Sequence, residues 1–256
     1  MNFIISANTD IGAKPRNQDC LSVLSMDTSQ GRMAFAVLCD GMGGLEMGEI
    51  ASSSVVKAFR RWATEVLPGL CRDPLSDQMI RQDWTQIVNH MNNRIQQYGK
   101  EAGHGARMGT TVVAMLLTQD HFYILNVGDS RAYELCGGIR QLTTDQSVVA
   151  RELAMGHITE EEAKHHPQRN VLLQCVGAMD AVYPDIISGP VRKDAVYLLC
   201  SDGFRHEVEA NEIYESLQPD VMLDEYVMQR SSDELIEVNK QRGEQDNISV
   251  VLVRTF

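Results

Sequence analysis

Apolar runs of strand length that stop on an acid and a turn residue set the frame for this chain. Met33-Ala-Phe-Ala-Val-Leu-Cys39 runs into Asp40-Gly41, and Ala195-Val-Tyr-Leu-Leu-Cys200 runs into Ser201-Asp202-Gly203. Gly128-Asp129-Ser130 and Gln245-Asp246-Asn247 stand at the ends of further apolar runs. A carboxylate at such a position faces outward from a rigid strand end instead of into the core. Any one Asp-Gly is an ordinary turn signal. Four such ends, with Asp19 as a fifth, form a pattern, and carboxylates brought that close repel unless cations lie between them. The arrangement therefore reads as a site for hard divalent metals with oxygen ligands. Glycine after the acid also lets a backbone carbonyl approach a cation with no side chain in the way.

The spacing of apolar residues predicts strands at 3–7, 21–26 and 33–39 and helices over 46–66 and 80–98. Strands resume at 110–117, 122–127 and 132–135. Helices are expected at 147–155, 159–165 and 168–176, strands near Ile186 and at 195–200, helices at 211–217 and 232–241, and a last strand at 248–254. Because strands come in runs and do not alternate singly with helices, the class is α+β with mainly antiparallel sheets. No repeat or linker divides residues 1–256, which are expected to form one catalytic domain. The stretch from Thr143 to Pro190 is polar and helical, and it reads as a small flap inserted beside the acids.

Net charge −12 argues against nucleic acid as a partner, since phosphate backbones demand a basic surface. The six cysteines show no zinc-like spacing with the seven histidines, and several lie in apolar strands, so free thiols in a reducing compartment are expected. No signal-peptide pattern and no membrane-length apolar run is seen, which gives a cytoplasmic, membrane-free, monomeric protein as the expectation.

Read in order, Thr9-Asp10-Ile-Gly12, Asn17-Gln18-Asp19, Asp40-Gly-Met-Gly-Gly44, Gly109-Thr110-Thr111, Val127-Gly-Asp129-Ser-Arg131-Ala-Tyr133, Ser201-Asp202-Gly203 and Asp246-Asn247-Ile-Ser-Val resemble the motifs of the metal-dependent type 2C serine/threonine protein phosphatases. The resemblance covers nearly the whole chain. His166-Pro-Gln-Arg-Asn170 is similar to the short bacterial branch of that family. It implies a four-layer αββα sandwich, two mainly antiparallel sheets flanked by helices, with two Mn2+ or Mg2+ ions at one end. By motif, Asp40 would bridge the ions, the Gly41 carbonyl would bind the second, and Asp202 and Asp246 would hold the first. Asp19 would act through bound water, and Asp129 would serve a third, weaker ion. The implied reaction is attack of a metal-bridging hydroxide on phosphoserine or phosphothreonine in proteins, with targets of a cytoplasmic Ser/Thr kinase as the expected substrates.

Three departures qualify the resemblance. Gln18 replaces a carboxylate that can ligate metal in some relatives. Lys14, with Arg16 two residues on, occupies the place of a phosphate-holding arginine and lacks the bidentate fork. No histidine stands at Met42 or Leu45, so metal-bound water is the expected proton donor to the leaving group. Arg169 in the flap is a further candidate for substrate phosphate. His165 and His166, adjacent on a predicted helix, are expected to be solvated. The alternative is a catalytically weak member that binds phosphoproteins as a regulatory module.

Overall fold

The computed structural model describes residues 1–42, 47–103 and 108–256. Its strands are β1 (Phe3–Asp10), β2 (Asp19–Thr28), β3 (Gly31–Asp40), β4 (Val112–Leu117), β5 (His121–Val127), β6 (Arg131–Leu135), β7 (Ile139–Gln141), β8 (Asp185–Pro190), β9 (Val196–Cys200) and β10 (Ile248–Thr255). The helices are α1 (Gly48–Arg61), α2 (Leu67–Leu70), α3 (Asp77–Glu101), α4 (Val148–Ala154), α5 (Glu160–Lys164), α6 (Ala210–Leu217) and α7 (Glu225–Arg242). One sheet runs β1-β10-β9-β6-β7 and the other β2-β3-β4-β5-β8, all pairs antiparallel.

Strand β3 shows why the stack has four layers. Antiparallel strands often alternate apolar and polar residues, but here residues 33–39 are apolar throughout and wholly buried. Ala34, Ala36 and Leu38 meet Tyr197, Leu199 and Val251 of the facing sheet. Met33, Phe35 and Val37 point the other way, into a core that includes Phe59, Trp84 and Val88 of α1 and α3. On the far side, Leu198, Val250 and Leu252 share a core with Ile213, Met228 and Leu235 of α6 and α7. Sheets with both faces covered demand continuous apolar strands, which is the αββα sandwich.

Register brings two acids together. Ser29-Gln30 turns β2 into β3, and ten consecutive pairs lead from Thr28/Gly31 to Asp19/Asp40. The Gly41 amide donates to the Gln18 carbonyl at 3.1 Å, so that pair is hydrogen-bonded. By alternation Asp19/Asp40 is a non-hydrogen-bonded pair, the kind with Cα atoms only about 4.5 Å apart and side chains alongside each other.

Four expectations from the sequence change. The helix predicted over 168–176 is absent: Pro167 precedes this segment, and its backbone is engaged elsewhere. Thr110 and Val176 exchange amide–carbonyl bonds at 3.0 and 2.9 Å, and the Leu173 amide donates to the Gln146 carbonyl at 2.7 Å. The helix predicted over 46–66 is α1 followed by a π-helical turn at Trp62–Val66. The segment 143–190 is not all insertion, because its last six residues are β8, the edge strand beside β5. Helix α7 also begins earlier than the expected 232, capped by Asp224, whose side chain accepts the Val227 amide.

Candidate metal centre

The five acids come from both sheets. Asp19 and Asp40 lie at paired ends of β2 and β3, and Asp129 follows β5. Asp202 opens the single 3-10 turn after β9, and Asp246 stands two residues before β10. Their mutual charge effects place them in one cluster. Burial raises the Asp40 carboxyl well above its usual range, reinforced by Asp19, Asp202, Asp129 and Asp246. Burial pushes Asp19 up to about 7, with Asp202 and Asp246 adding to the shift. Asp129 is pushed up to about 7 by burial and by Asp202, against the opposing charge of Arg205.

Neighbouring motifs hold the backbone of these acids. The Asp40 amide donates to the Thr111 hydroxyl (3.0 Å), while the Thr111 amide and the Thr110 hydroxyl donate to the Asp40 carbonyl (2.9 and 2.8 Å). Asn247 accepts the Gln18 amide (2.8 Å) and donates to the carbonyls of Ile11 and Arg16, tying the 11–18 loop to the start of β10. The Asn17 side chain accepts the Asp19 amide at 3.0 Å.

Gly41 has a packing reason beyond carbonyl approach. A Cβ there would lie 2.5 Å from the Gly48 carbonyl oxygen and 2.6 Å from that of Gln18. Both obstacles are backbone and cannot swing aside. Gly41→Ala is therefore expected to lose about 1–3 kcal/mol of stability through a displaced α1, read as a lower midpoint in urea unfolding with metal chelated.

Among the described residues no three His, Cys, Asp or Glu side chains form a ready metal cage. Two acids are turned instead to basic side chains: Lys14 Nζ lies 3.0 Å from Asp246 Oδ1, and His206 Nε2 lies 3.5 Å from Asp202 Oδ2. Both oxygens of Asp19 and Oδ1 of Asp202 are nevertheless buried with no hydrogen-bond partner. The hydroxyls of Ser201 and Ser249 oppose the rise in the Asp19 pKa, but neither is in bonding geometry with it. Orphaned carboxylate oxygens are costly in a protein interior. Three of them beside a half-buried Asp40 fit hard divalent cations, which take oxygen ligands.

The other predicted residues divide. Lys14 is in the cluster through Asp246. Arg16 is not, because its exposed guanidinium pairs with Glu49 at the start of α1 at 2.9 Å. Arg169 is exposed and donates to the Lys164 carbonyl at 3.3 Å, making no hydrogen bond or ion pair with the acids. His165 and His166 are not brought to the acids: His165 is exposed, and His166 accepts the Gln168 amide. Leu45 lies outside the described residues; the Met42 amide donates to the Gly109 carbonyl at 3.1 Å.

A network absent from the sequence reading supports the acids. Arg131 grips Asp145 with two bonds of 2.8 and 2.7 Å. Arg205 donates to the Asp129 carbonyl at 3.0 Å and approaches Asp145 at 3.5 Å. His206 reaches Glu244 at 2.9 Å, and Glu244 in turn accepts the amides of Gln245 and Asp246 at 2.7 and 2.8 Å. Burial works to lower the His206 pKa, yet Glu244 and Asp202 hold it above its ordinary value. Consecutive residues Arg205 and His206 thus tie the Asp202 turn to the Asp129 and Asp246 loops. The available signal was their position, three and four residues after a strand-end acid.

The family model described as protein phosphatase 2C matches residues 9–251. The chain belongs to the protein phosphatase 2C family. It is an enzyme of the protein serine/threonine phosphatase class. The serine/threonine phosphatase Stp of Listeria innocua is 33% identical over 88% of this chain and 86% of its own length. A serine/threonine phosphatase structure from S. agalactiae superposes with a TM-score of 0.85 at 30% identity, covering all of both chains. The catalytic domain of the phosphatase PstP, solved with two manganese ions, gives a TM-score of 0.77 at 27% identity over 99% of both chains. The four-layer sandwich expected from the motifs is thus the fold this phosphatase shares with solved relatives.

Proposed function

We propose that this phosphatase hydrolyses phosphoserine and phosphothreonine in proteins by direct attack of water on phosphorus, using two Mn2+ or Mg2+ ions. The observation that carries the proposal is the convergence of half-buried carboxylates from both sheets, with three of their oxygens buried and unpartnered. Asp40, Asp202, Asp246 and the Gly41 carbonyl are the proposed holders of the pair, and Asp129 serves a third, weaker ion. When bound, such ions lower the pKa of a coordinated water and neutralise charge building on the phosphoryl oxygens.

The chain's own residues do the rest. Asp19 lies beside Asp40 and orients water through its oxygens. Lys14 is about one-third exposed, so its pair with Asp246 is weak and exchangeable, and it is free to turn to substrate phosphate. His206, held by both Asp202 and Glu244, positions Asp202 and is not assigned as the proton donor. A phosphoprotein-binding module, the alternative reading, gains nothing from burying acids that repel one another.

Proteins phosphorylated by a cytoplasmic Ser/Thr kinase are the proposed substrates. No described helix is long and apolar enough to cross a membrane. Turnover of a phosphothreonine peptide should require Mn2+ or Mg2+ and stop in chelator; metal-independent turnover would remove the proposal. Helices α4 and α5, the latter acidic in its first turn, and Arg169 are proposed as a wall that reads the peptide. Exchanging exposed residues of 156–170 should change selectivity among phosphopeptides and leave aryl phosphate hydrolysis within about twofold. Parallel loss of both activities would make the segment structural.

A further inference from the structure

The helical layer over the second sheet carries a cavity of about 700 Å3 between α1 and α3, and none of the five site acids lines it. One side is the α1 stripe from Ile50 to Arg61 and the other the α3 stripe from His90 to Tyr98. Steps of three and four residues define one face of a helix, so the cavity is the gap between two facing stripes. Its floor is apolar: Trp62, Met91, Ile95 and Met108 are each 5% exposed or less.

The rim has the opposite character. Among the described residues, Lys57, Arg61, His90 and Arg94 border the gap against one acid, Glu65, which pairs with Arg61 at 2.7 Å. This basic collar sits on a chain of net charge −12. One wall is the π-helical turn Trp62–Val66, a rare conformation that is frequent at functional sites.

Size and charge select the occupant. The volume falls in the range of about 300–1,000 Å3 usual for small-molecule sites. That volume and the low exposure of the floor suit a single acyl chain. From Ile50 to Arg61 the groove follows α1 for about 16 Å. A basic collar over an apolar floor complements one negative head on one apolar tail.

We infer that this groove binds a monomeric anionic amphiphile. An unbranched acyl chain lies over Trp62, Met91, Ile95 and Met108, and Lys57, Arg61 and Arg94 hold its carboxylate or phosphate head. The site stands independently of the proposed reaction.

The chain's only two tryptophans report on it, since Trp62 lines the groove and its ring lies 5.5 Å from that of Trp84. Dodecanoate and dodecyl phosphate, each below its micellar concentration, are titrated into the full chain while tryptophan emission is followed. A saturable change at one equivalent is expected for at least one anion, with affinity at least tenfold weaker for uncharged dodecyl maltoside. The double variant Lys57→Glu, Arg94→Glu should weaken the anion at least tenfold. Ala58→Phe, which fills the groove, should abolish calorimetric binding while its melting curve stays cooperative. Equal affinity for the uncharged amphiphile, indifference to charge reversal, or binding only to vesicles of anionic lipid would each overturn the inference, as would no binding by either anion.

Discussion

Asp40→Asn is expected to lower phosphothreonine-peptide turnover by at least about a hundredfold and, in the same protein, to raise the melting temperature measured in chelator. The two signs have one cause. Desolvation raises the Asp40 carboxyl, and Asp19, Asp202, Asp129 and Asp246 all add to the rise. Asparagine keeps the shape and removes the charge, so like-charge repulsion is relieved and the metal-free fold gains stability. Relief of about 1 kcal/mol would appear as a rise of about 2–4 °C in a chain of this size. The same change removes a metal ligand, and with it both nucleophile generation and charge neutralisation. A structural role alone would give loss of activity with loss of stability. Asp202→Asn should lose turnover to a similar extent, because it removes a proposed ligand whose Oδ1 is buried and unpartnered.

Metal-free stability should fall as pH rises from about 4 to above 7, and millimolar Mn2+ should abolish most of the fall. Asp19 and Asp129 titrate near 7 in the fold, against 3.8 for an ordinary aspartate. Between those values the folded chain holds protons that the unfolded chain has released, so stability declines with pH across that window. His206, raised above its usual value, acts in the same direction at the upper end. The total is on the order of a few kcal/mol. Thermal melts at pH 5, 6, 7 and 8, with chelator and with Mn2+, check this. A flat profile in chelator would show that the acids do not share a buried cluster, and Asp19→Asn should flatten it in part.

Much of the site was legible because strand ends advertise it. Asp40 and Asp202 follow apolar runs that must be buried on both faces, so their positions at one end of the sandwich follow from burial and chain direction. The close pairing of Asp19 with Asp40 was also within reach, by counting back from the Ser29-Gln30 turn. What stayed hidden depends on contacts between distant segments. Arg205 meets the Asp129 carbonyl 76 residues away, and His206 meets Glu244 38 residues on. Their place just after the Asp202 turn is the one local sign; the partners themselves are set by the fold. The 168–176 stretch has helical spacing but loses to backbone bonds with Thr110 and Gln146. Arg16 and Arg169 were chosen for charge and motif position, whereas the fold turns them toward Glu49 and the Lys164 carbonyl.

The central claim is that Asp40, Asp202, Asp246 and the Gly41 carbonyl together hold two divalent cations. An anomalous-scattering map from Mn2+-soaked crystals, collected at the manganese edge, tests it most directly. The account predicts two strong peaks, both ligated by Asp40, one also by Asp202 and Asp246 and the other by the Gly41 carbonyl, with Lys14 displaced from Asp246. A map without peaks among these acids, or with manganese ligated by other residues, would contradict it.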